Sequence, residues 1–415
     1  MVENATPLTP KDLDPVHPKV MECPYPFYDA LRREAPVYKV PNADYFIVSR
    51  FADVQDALRR HDDLSNDVSH LFDGQGGVFI PAPVLNLSDP PVHSRTKPMT
   101  VRAFGPNRVN TLDASITAIV DGLIDKFIDK GEVEILGEFA RPLPMTVIAG
   151  QLGIPVKDLD RLALWSDQML VFNNPAATAE ERNYAKVVTA EANVYLMDVF
   201  RSKRLNPTDD VISTLATAAT EPVSGAEGSR VLTDEEALSM MQLLLVGGNE
   251  TTTNAIGNGL LLLMSNPAVV DELRAGTANW TSVIEEFLRL ESPVRGFWRL
   301  AKRDTQIAGV PIPRGSVIFL SFASANRDPH QFPNPECLDP NRKNINTHLA
   351  FGHGIHLCVG FRLARKELGI AFRRLFERLN NIRLTPGKND LDELFVPTAL
   401  VRGLKALHLT FDRVP

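Results

Sequence analysis

The sequence predicts a mainly α-helical protein with small β-sheets, folded as a single domain. Amphipathic stretches with apolar residues at helical spacing dominate from about Val109 to Leu290. Short runs of β-branched and aromatic residues occur on both sides of that region, as is typical of small sheets. The length of 415 residues leaves one or two domains open, but no linker composition divides the chain. We therefore predict an extended, proline-rich arm over residues 1–20 and one domain over residues 21–415.

The composition argues against several classes of protein. Hydrophobic residues make up 44% of the chain, which supplies enough apolar surface for a core. The formal net charge of -7, without a basic stripe, argues against a nucleic-acid partner. Cys23, Cys337 and Cys358 lack the spacing of a disulfide framework or a zinc site and favour a reducing cytoplasm. No basic patch precedes an apolar run at the N-terminus, so we expect neither a signal peptide nor a membrane anchor.

The N-terminal part predicts a small sheet and then a binding loop. The runs 37–40 and 45–50 flank the turn residues 41–44, which is a hairpin pattern. Residues 65–87 carry glycine, proline and scattered apolar groups without a period. A long irregular loop with aromatic and aliphatic content favours a role in binding.

A long helix is predicted over Asp234 to Ser265, about 45 Å at 1.5 Å per residue. Gly247, Gly248 and three consecutive threonines are poor helix formers, so we expect a local distortion there. The alternative is a helix break, with Gly247 as a cap and Asn249 starting the next helix. Towards the C-terminus, the runs 310–312, 317–320 and 406–411 predict short strands, with a turn at 314–315 between the first two.

Cys358 lies at the end of a glycine-rich loop that leads into a helical pattern over 360–372. Gly352, Gly354 and Gly360 permit positive φ and a close approach of the backbone, so peptide N–H groups can point at the sulfur. The N-terminal end of a helix also favours a charged sulfur. The alternative is a buried free cysteine without a chemical role.

The ten residues from Phe351 to Gly360 resemble the haem-ligand loop of the cytochrome P450 superfamily. The resemblance implies the fold of that family and a single haem-binding domain. It also implies heme b (iron protoporphyrin IX) with Cys358 as the axial thiolate on the iron, where the thiolate favours O–O cleavage. Phe351 would lie beside the thiolate, His356 would contact a haem propionate, and Gly360 would let the backbone approach the cofactor.

A second segment, Gly247-Gly248-Asn249-Glu250-Thr251, resembles the oxygen-activating motif of the same family. The resemblance gives Glu250 and Thr251 the catalytic role of relaying protons to bound O2. An acid next to a hydroxyl is suited to general acid catalysis through water.

Further segments resemble elements that support the cofactor in this family. Glu286 and Arg289 match its Glu-x-x-Arg pair, which has a structural role, and Arg342 matches the third member of that cluster. The resemblance places three other residues at the haem propionates, and these are His93, Lys97 and Arg299. Lys97 stands where arginine is usual, so its contact would lack the planar fork of a guanidinium.

The resemblance also implies which residues line the substrate pocket. They are Phe79, Ile80, Val246, Gly247, Val294, Arg295, Phe297, Ala399 and Leu400. Most are apolar, which favours a small apolar organic substrate such as a terpenoid, an alkyl arene or an aryl ether. Arg295 is the exception: it either holds a substrate carboxylate or points to solvent or to a structural partner.

The predicted function is that of a haem-thiolate monooxygenase that inserts one oxygen atom from O2, by hydroxylation or O-dealkylation. Electrons are expected from a separate ferredoxin and an NAD(P)H-dependent ferredoxin reductase. Arg362, Arg365 and Lys366 are placed to meet an acidic carrier, or form a solvated face. Two alternatives remain: a peroxide-driven oxidase, and a catalytically silent module that binds haem or recruits a partner.

Overall fold

The computed structural model describes residues 9–41, 43–68, 81–82, 84–172, 177–220, 229–390 and 393–414. Helices make up most of the regular structure within these ranges, as the sequence predicts. They are α1 (Pro18–Glu22), α2 (Tyr25–Glu34), α3 (Phe51–Arg59), α4 (Val92–Ala103), α5 (Pro106–Asn110), α6 (Asp113–Asp125), α7 (Pro142–Leu152), α8 (Leu159–Val171), α9 (Ala179–Leu205), α10 (Val211–Thr217), α11 (Asp234–Met264), α12 (Pro267–Ala275), α13 (Trp280–Leu290), α14 (Phe322–Ala325) and α15 (Phe361–Arg378).

The strands form three small sheets. They are β1 (Val37–Lys39), β2 (Tyr45–Val48), β3 (Leu64–Ser65), β4 (Glu132–Glu134), β5 (Gly296–Ala301), β6 (Thr305–Ile307), β7 (Val310–Ile312), β8 (Val317–Ser321), β9 (Leu379–Leu384) and β10 (His408–Arg413). The largest sheet has the order β1-β2-β8-β5-β3, a second has the order β4-β10-β9, and β6 pairs with β7.

The predicted N-terminal hairpin is confirmed, because β1 and β2 pair antiparallel with Val37 opposite Val48. The two runs around the turn at 314–315 are both strands, but they do not pair with each other. β7 pairs with β6, whereas β8 lies between β2 and β5 in the large sheet. Most of β8 is buried, so its place in the sheet follows from burial and not from the nearest turn.

The N-terminal stretch is more regular than an extended arm. Pro10–Asp12 forms a short 3-10 helix, and α1 begins at Pro18. Leu13 and Val20 pack against a small cluster of buried residues that includes Phe27 and Ile47.

α11 runs without interruption through Gly247 and the threonines, so the alternative of a helix break is wrong. Its first turn is closed by a capping box in which Thr233 and Glu236 satisfy each other's backbone N–H groups. The helix packs against α7, α8, α13 and α15. This burial outweighs the weak helix propensity of the glycines and threonines.

The central helices share one large apolar core, and the five-stranded sheet carries two smaller ones. α11 crosses the large core and faces the loop that precedes α15. Within the ranges described above, no helix is both long and apolar enough to cross a bilayer.

Candidate active site

A cavity of about 260 Å³ lies between α11 and the loop before α15. The wall of this large cavity is mostly apolar, with a few polar groups at its edge. It brings together many of the residues singled out from the sequence, namely His93, Lys97, Gly247, Thr251, Val294, Phe297, Arg299, Phe351, His356, Cys358 and Gly360.

The loop that carries Cys358 is held by its own backbone. Gly352 and Gly354 have φ of +73° and +71°, a conformation that favours glycine. A Cβ at Gly354 would lie 3.0 Å from the carbonyl oxygen of Leu58, so this turn also needs the absence of a side chain. The N–H of Cys358 donates to the carbonyl oxygen of Phe351 at 2.9 Å. These constraints direct the sulfur into the cavity.

Cys358 lies deep in the molecule. Its accessible surface is part of the cavity wall. Burial raises the pKa of the Cys358 thiol. The N–H groups of Gly360 and Phe361, at the start of α15, donate to the sulfur and act in the opposite direction, as does the charge of Lys97. The helix begins three residues after the cysteine, close to where the sequence predicts it.

His93 of α4 and His356 of the cysteine loop face each other, with ring centroids 4.1 Å apart. Burial lowers the pKa of His93 to about 4 and that of His356 to about 2, and the neighbouring cations add to the effect. Neither ring nitrogen of His356 has a hydrogen-bond partner among the residues described. A buried imidazole without a partner indicates that a further group belongs in this part of the cavity.

Lys97 and Arg299 are the two cations on the same side of the cavity. Lys97 Nζ donates to the carbonyl oxygens of Ile355 and Leu357, the latter at 3.0 Å, so it contacts the cysteine loop directly. Arg299 is buried, and its Nη1 donates to the carbonyl oxygen of Trp298 at 2.8 Å. Burial lowers the pKa of Arg299 to about 10, which leaves the guanidinium charged at neutral pH.

Across the cavity, Thr251 lines the wall and its Oγ1 donates to the carbonyl oxygen of Gly247 at 3.0 Å. Glu250 is not among the residues that line the cavity, and the charged groups that act on it are Asp167 and Arg141, which form an ion pair with each other. Burial raises the pKa of Glu250 to about 7, the charge of Asp167 adds to this effect, and Arg141 opposes it. The carboxyl group of Glu250 can therefore gain and lose a proton near neutral pH.

Behind the site, Glu286, Arg289 and Arg342 form a buried cluster. Arg289 donates to both carboxylate oxygens of Glu286, at 2.6 and 2.9 Å, and Arg342 Nε donates to Oε1 at 2.9 Å. The two guanidinium groups also bind the carbonyl oxygens of Pro333, Pro335 and Cys337. The cluster ties α13 to the segment that leads to the cysteine loop.

A family model described as "Cytochrome P450" matches residues 163–277 and 280–406, more than half of the chain. The chain belongs to the cytochrome P450 family. It is therefore a monooxygenase and an oxidoreductase, and the fold predicted from the sequence is confirmed.

Two curated relatives of this cytochrome P450 illustrate the similarity. Vitamin D(3) 25-hydroxylase of Pseudonocardia autotrophica is 38% identical over 394 residues, covering 93% of each chain. Cytochrome P450 monooxygenase PikC of Streptomyces venezuelae is 35% identical over 401 residues, covering 94% of this chain and 91% of that protein.

Solved structures agree with this similarity. CYP109Q5 from Chondromyces apiculatus has a TM-score of 0.85 and 31% identity, over 97% of this chain and 98% of that one. CYP109E1 from Bacillus megaterium, solved in complex with corticosterone, has a TM-score of 0.82 and 31% identity, over 94% and 98%.

The residues of this cytochrome P450 fit the haem that the family implies. The sulfur of Cys358 faces the cavity, and the unpartnered nitrogens of His356 lie beside the buried cation Arg299. Neutral and cationic donors of this kind suit the carboxylates of a haem. Gly247 and Gly248 occupy the facing helix, where a Cβ at Gly247 would meet no atom within 4 Å.

Four of the predicted pocket residues do not line the large cavity. Arg295 and Ala399 line a second, smaller cavity. Val246 packs against the main core, and Leu400 packs against the core beside the sheet. Phe79 and Ile80 lie outside the described residues.

The prediction that Arg295 lies in the haem cavity is therefore wrong, and so is the alternative that it points to solvent. Val294 lines the large cavity, whereas the adjacent Arg295 lines the small one. The backbone fixes this arrangement, because the N–H of Arg295 donates to the carbonyl oxygen of Leu400 and its own carbonyl oxygen accepts from Ala323. Arg295 is only 1% exposed.

Sequence reasoning also missed residues that line the large cavity, among them Asn66, Ile148, Leu244 and Leu288. For Leu244 the signal was its position three residues before Gly247 on the same helix. Ile148 had no local signal, because α7 is far from α11 in the chain. Its side chain would lie 2.9 Å from a Cβ at Gly248, which explains the glycine there.

The three basic residues after the cysteine differ in their surroundings. Arg365 donates to both oxygens of Glu285, at 2.6 and 2.7 Å, and Lys366 pairs with Asp113. Arg362 is exposed and lies over the ring of Phe361, 4.4 Å from its centroid. Arg362 is therefore the best placed of the three to meet a partner.

Proposed function

We propose that this cytochrome P450 uses O2 to insert one oxygen atom into a small apolar organic substrate, by hydroxylation or O-dealkylation. One observation carries the proposal. The sulfur of Cys358 and the hydroxyl of Thr251 line the same apolar cavity, on the cysteine loop and on α11 respectively. An iron ligand and a proton donor on the two walls of one cavity are what oxygen activation requires.

Heme b is the cofactor in this proposal, and when bound it supplies the activation of O2. Cys358 would ligate the iron, with Phe351 and Gly360 beside the sulfur. His93, Lys97, Arg299 and His356 would hold the haem carboxylates. Lys97 already donates to Leu357 at 3.0 Å, so it would also hold the cysteine loop in place.

Glu250 and Thr251 would bring protons to the cavity. Thr251 lines the cavity, and the adjacent Glu250 interacts electrostatically with the half-exposed ion pair of Arg141 and Asp167. Because its pKa is raised to about 7, the Glu250 carboxyl is partly protonated at neutral pH and can donate a proton through water.

The substrate class follows from the apolar part of the cavity wall. Leu85, Leu243, Leu244, Val294 and Phe297 supply apolar surface there. A relative is named a vitamin D(3) hydroxylase, and a structural neighbour was solved with corticosterone. Both names support an apolar substrate of the terpenoid type, with aromatic compounds as the second class to test.

Electrons would come from a ferredoxin that is reduced by an NAD(P)H-dependent reductase. The exposed Arg362 follows the cysteine loop directly and offers a positive charge to an acidic carrier. The three free cysteines, Cys23, Cys337 and Cys358, suit the reducing cytoplasm that we propose as the location.

The deciding experiment uses the purified holoenzyme with a ferredoxin, its reductase, NADPH and a panel of terpenoid and aromatic substrates. Substrates that shift the spin state of the iron are incubated under ¹⁸O2. We expect one ¹⁸O atom in each hydroxylated product, whereas O-dealkylation is scored by its two fragments. Product that forms with hydrogen peroxide but not with the electron-transfer system would show a peroxide-driven oxidase instead. Haem binding without product for any substrate would support the silent module.

A further inference from the structure

A second cavity of about 50 Å³ lies between the N-terminal segment and the five-stranded sheet. Pro15 and Val20 form one wall, and Ile47, Trp298 and Phe319 from the sheet form another. Among the described residues, none lines both this small cavity and the large one. The small cavity is therefore a separate site and not an extension of the haem pocket.

Arg295 is one of the residues that line this small cavity. The residue is 1% exposed, and its Nε and Nη2 atoms have no hydrogen-bond partner among the described residues. Its backbone is held on both sides, by the carbonyl oxygen of Leu400 at 2.8 Å and by the N–H of Ala323 at 3.0 Å. The side chain therefore starts from a fixed position, and a guanidinium does not lose its charge in a protein.

Arg295 has no direct ion pair with any of the described residues, and the carboxylate whose charge acts on it, Glu291, is shared with two other arginines. Arg402 Nε lies 2.7 Å from Oε2 of Glu291, and Arg327 Nη2 lies 3.1 Å from Oε1 of the same residue. The hydroxyl of Tyr25 also donates to Glu291, at 2.5 Å. Both oxygens of this buried carboxylate are thus already used. An unpaired buried charge of this kind is costly, so an anion in the cavity would be strongly favoured.

The rest of the wall limits the size and character of that anion. Phe27, Trp298 and Phe319 provide aromatic surface, and Tyr45 packs edge-on against Trp298 at a centroid distance of 5.2 Å. A volume of about 50 Å³ is several times that of one water site, enough for a molecule of a few heavy atoms. A carboxylate with a short hydrocarbon group matches both the charge and the apolar wall.

We propose that the small cavity binds a small aliphatic carboxylate, whose charge pairs with the guanidinium of Arg295 and whose hydrocarbon group lies among the aromatic rings. A hydrogen bond between a guanidinium and a carboxylate is stronger than one between neutral groups, because both partners are charged. The site needs neither the haem nor the monooxygenase reaction. Because Pro15 and Val20 form part of its wall, binding would also fix the N-terminal segment against the sheet.

The test measures the thermal unfolding of the holoprotein with propionate, without substrate or electron donor. Propionamide, which has nearly the same shape but no charge, is the matched control, and sodium chloride keeps the ionic strength constant. At about a hundred times Kd we expect propionate to raise Tm by roughly 3 °C, because it binds only the folded state. Propionamide should leave Tm unchanged.

Two variants locate the site. Arg295→Gln should abolish the response to propionate and should itself have a higher Tm than the wild type in propionate-free buffer. Ala399→Leu keeps Arg295 but fills the small cavity, so it should also lose the response, even if Arg295→Gln fails to fold.

The absorption spectrum of the haem separates the two cavities. It should not change with propionate, because the two cavities share no lining residue among those described. The proposal is overturned by a wild type that does not respond, by an equal rise in Tm in both variants, or by a spectral shift that shows binding at the haem.

Discussion

The carboxylate of Glu286 accepts two hydrogen bonds from the guanidinium of Arg289, and neither side chain reaches solvent. Such i,i+3 pairs are common on helix surfaces, where they stabilise little. Here the pair is buried, and Arg342 adds a third charge to it. The backbone N–H of Asp339 also donates to Glu286, at 2.8 Å. Glu286 does not line the cavity, yet its carboxylate is expected to contribute strongly to the stability of the fold.

We predict that Glu286→Gln lowers the free energy of unfolding by about 3 to 5 kcal/mol, because it leaves buried guanidinium charges without a counterion. Urea unfolding followed by circular dichroism measures the loss. Glu132→Gln is the control, since Glu132 pairs with Lys388 on the surface and should change stability by less than about 1 kcal/mol. Equal losses in the two variants would contradict the role assigned to the buried cluster.

Replacing Cys358 tests the proposed iron ligand. In Cys358→Ser, we expect the reduced carbon monoxide complex to lose the long-wavelength Soret band that marks thiolate ligation, because a serine hydroxyl is not deprotonated at neutral pH. Cys337→Ser should keep the band, since the Cys337 side chain is exposed and away from the cavity. A long-wavelength band that survives in Cys358→Ser would show that another group binds the iron.

The raised pKa of Glu250 predicts how stability depends on pH. In the folded protein the pKa is about 7, against an ordinary value of 4.5, so the folded state holds this proton more tightly than the unfolded state. The stabilising effect of the neutral carboxyl is present below about pH 4.5 and is lost as pH rises through 7. The loss amounts to about 3 kcal/mol at most.

The measurement compares wild type with Glu250→Gln by urea unfolding between pH 5 and 8. The variant has no proton to lose, so we expect its stability to rise relative to wild type across this interval. Glu235→Gln, which changes an exposed carboxyl on the same helix, should follow the wild-type profile. Parallel profiles for wild type and Glu250→Gln would rule out a carboxyl that titrates near pH 7.

Thr251 and Thr253 form a matched pair for testing the proton path. Both hydroxyls donate to a carbonyl oxygen four residues earlier, at 3.0 and 3.1 Å, but only Thr251 lines the cavity. We predict that Thr251→Ala lowers the product formed per NADPH by on the order of 10²-fold, as for the loss of a proton donor. Thr253→Ala should stay near wild type.

The carbon monoxide spectrum should be unchanged in both threonine variants, which shows that the haem site is intact. If the two variants lose product equally, the helix and not the hydroxyl of Thr251 is responsible.

Much of this molecule was predictable from local patterns. The period of apolar residues predicts α11 and α15, and the turn residues predict the hairpin of β1 and β2. The glycine-rich loop predicts a sulfur with backbone N–H groups aimed at it. These features depend on residues that are close in the chain, so their spacing carries the information.

The position of Arg295 was not predictable in the same way. Val294 and Arg295 are neighbours, and only the backbone hydrogen bonds of Arg295 with Leu400 and Ala323 decide which cavity each one lines. Likewise, the contact of Lys97 with Leu357 joins segments 260 residues apart. No pattern within a helix or a strand specifies such a contact.

By itself, then, the sequence determined the fold class, the family and the two motifs that carry the chemistry. Each of these depends on residues that are close together in the chain. Only the tertiary structure decided that Glu250 comes under the charges of Asp167 and Arg141, and that Arg295 is buried without a direct ion pair among the described residues. The physical reason is that the pKa and the pairing of a buried group depend on everything packed around it, and those neighbours come from distant parts of the chain.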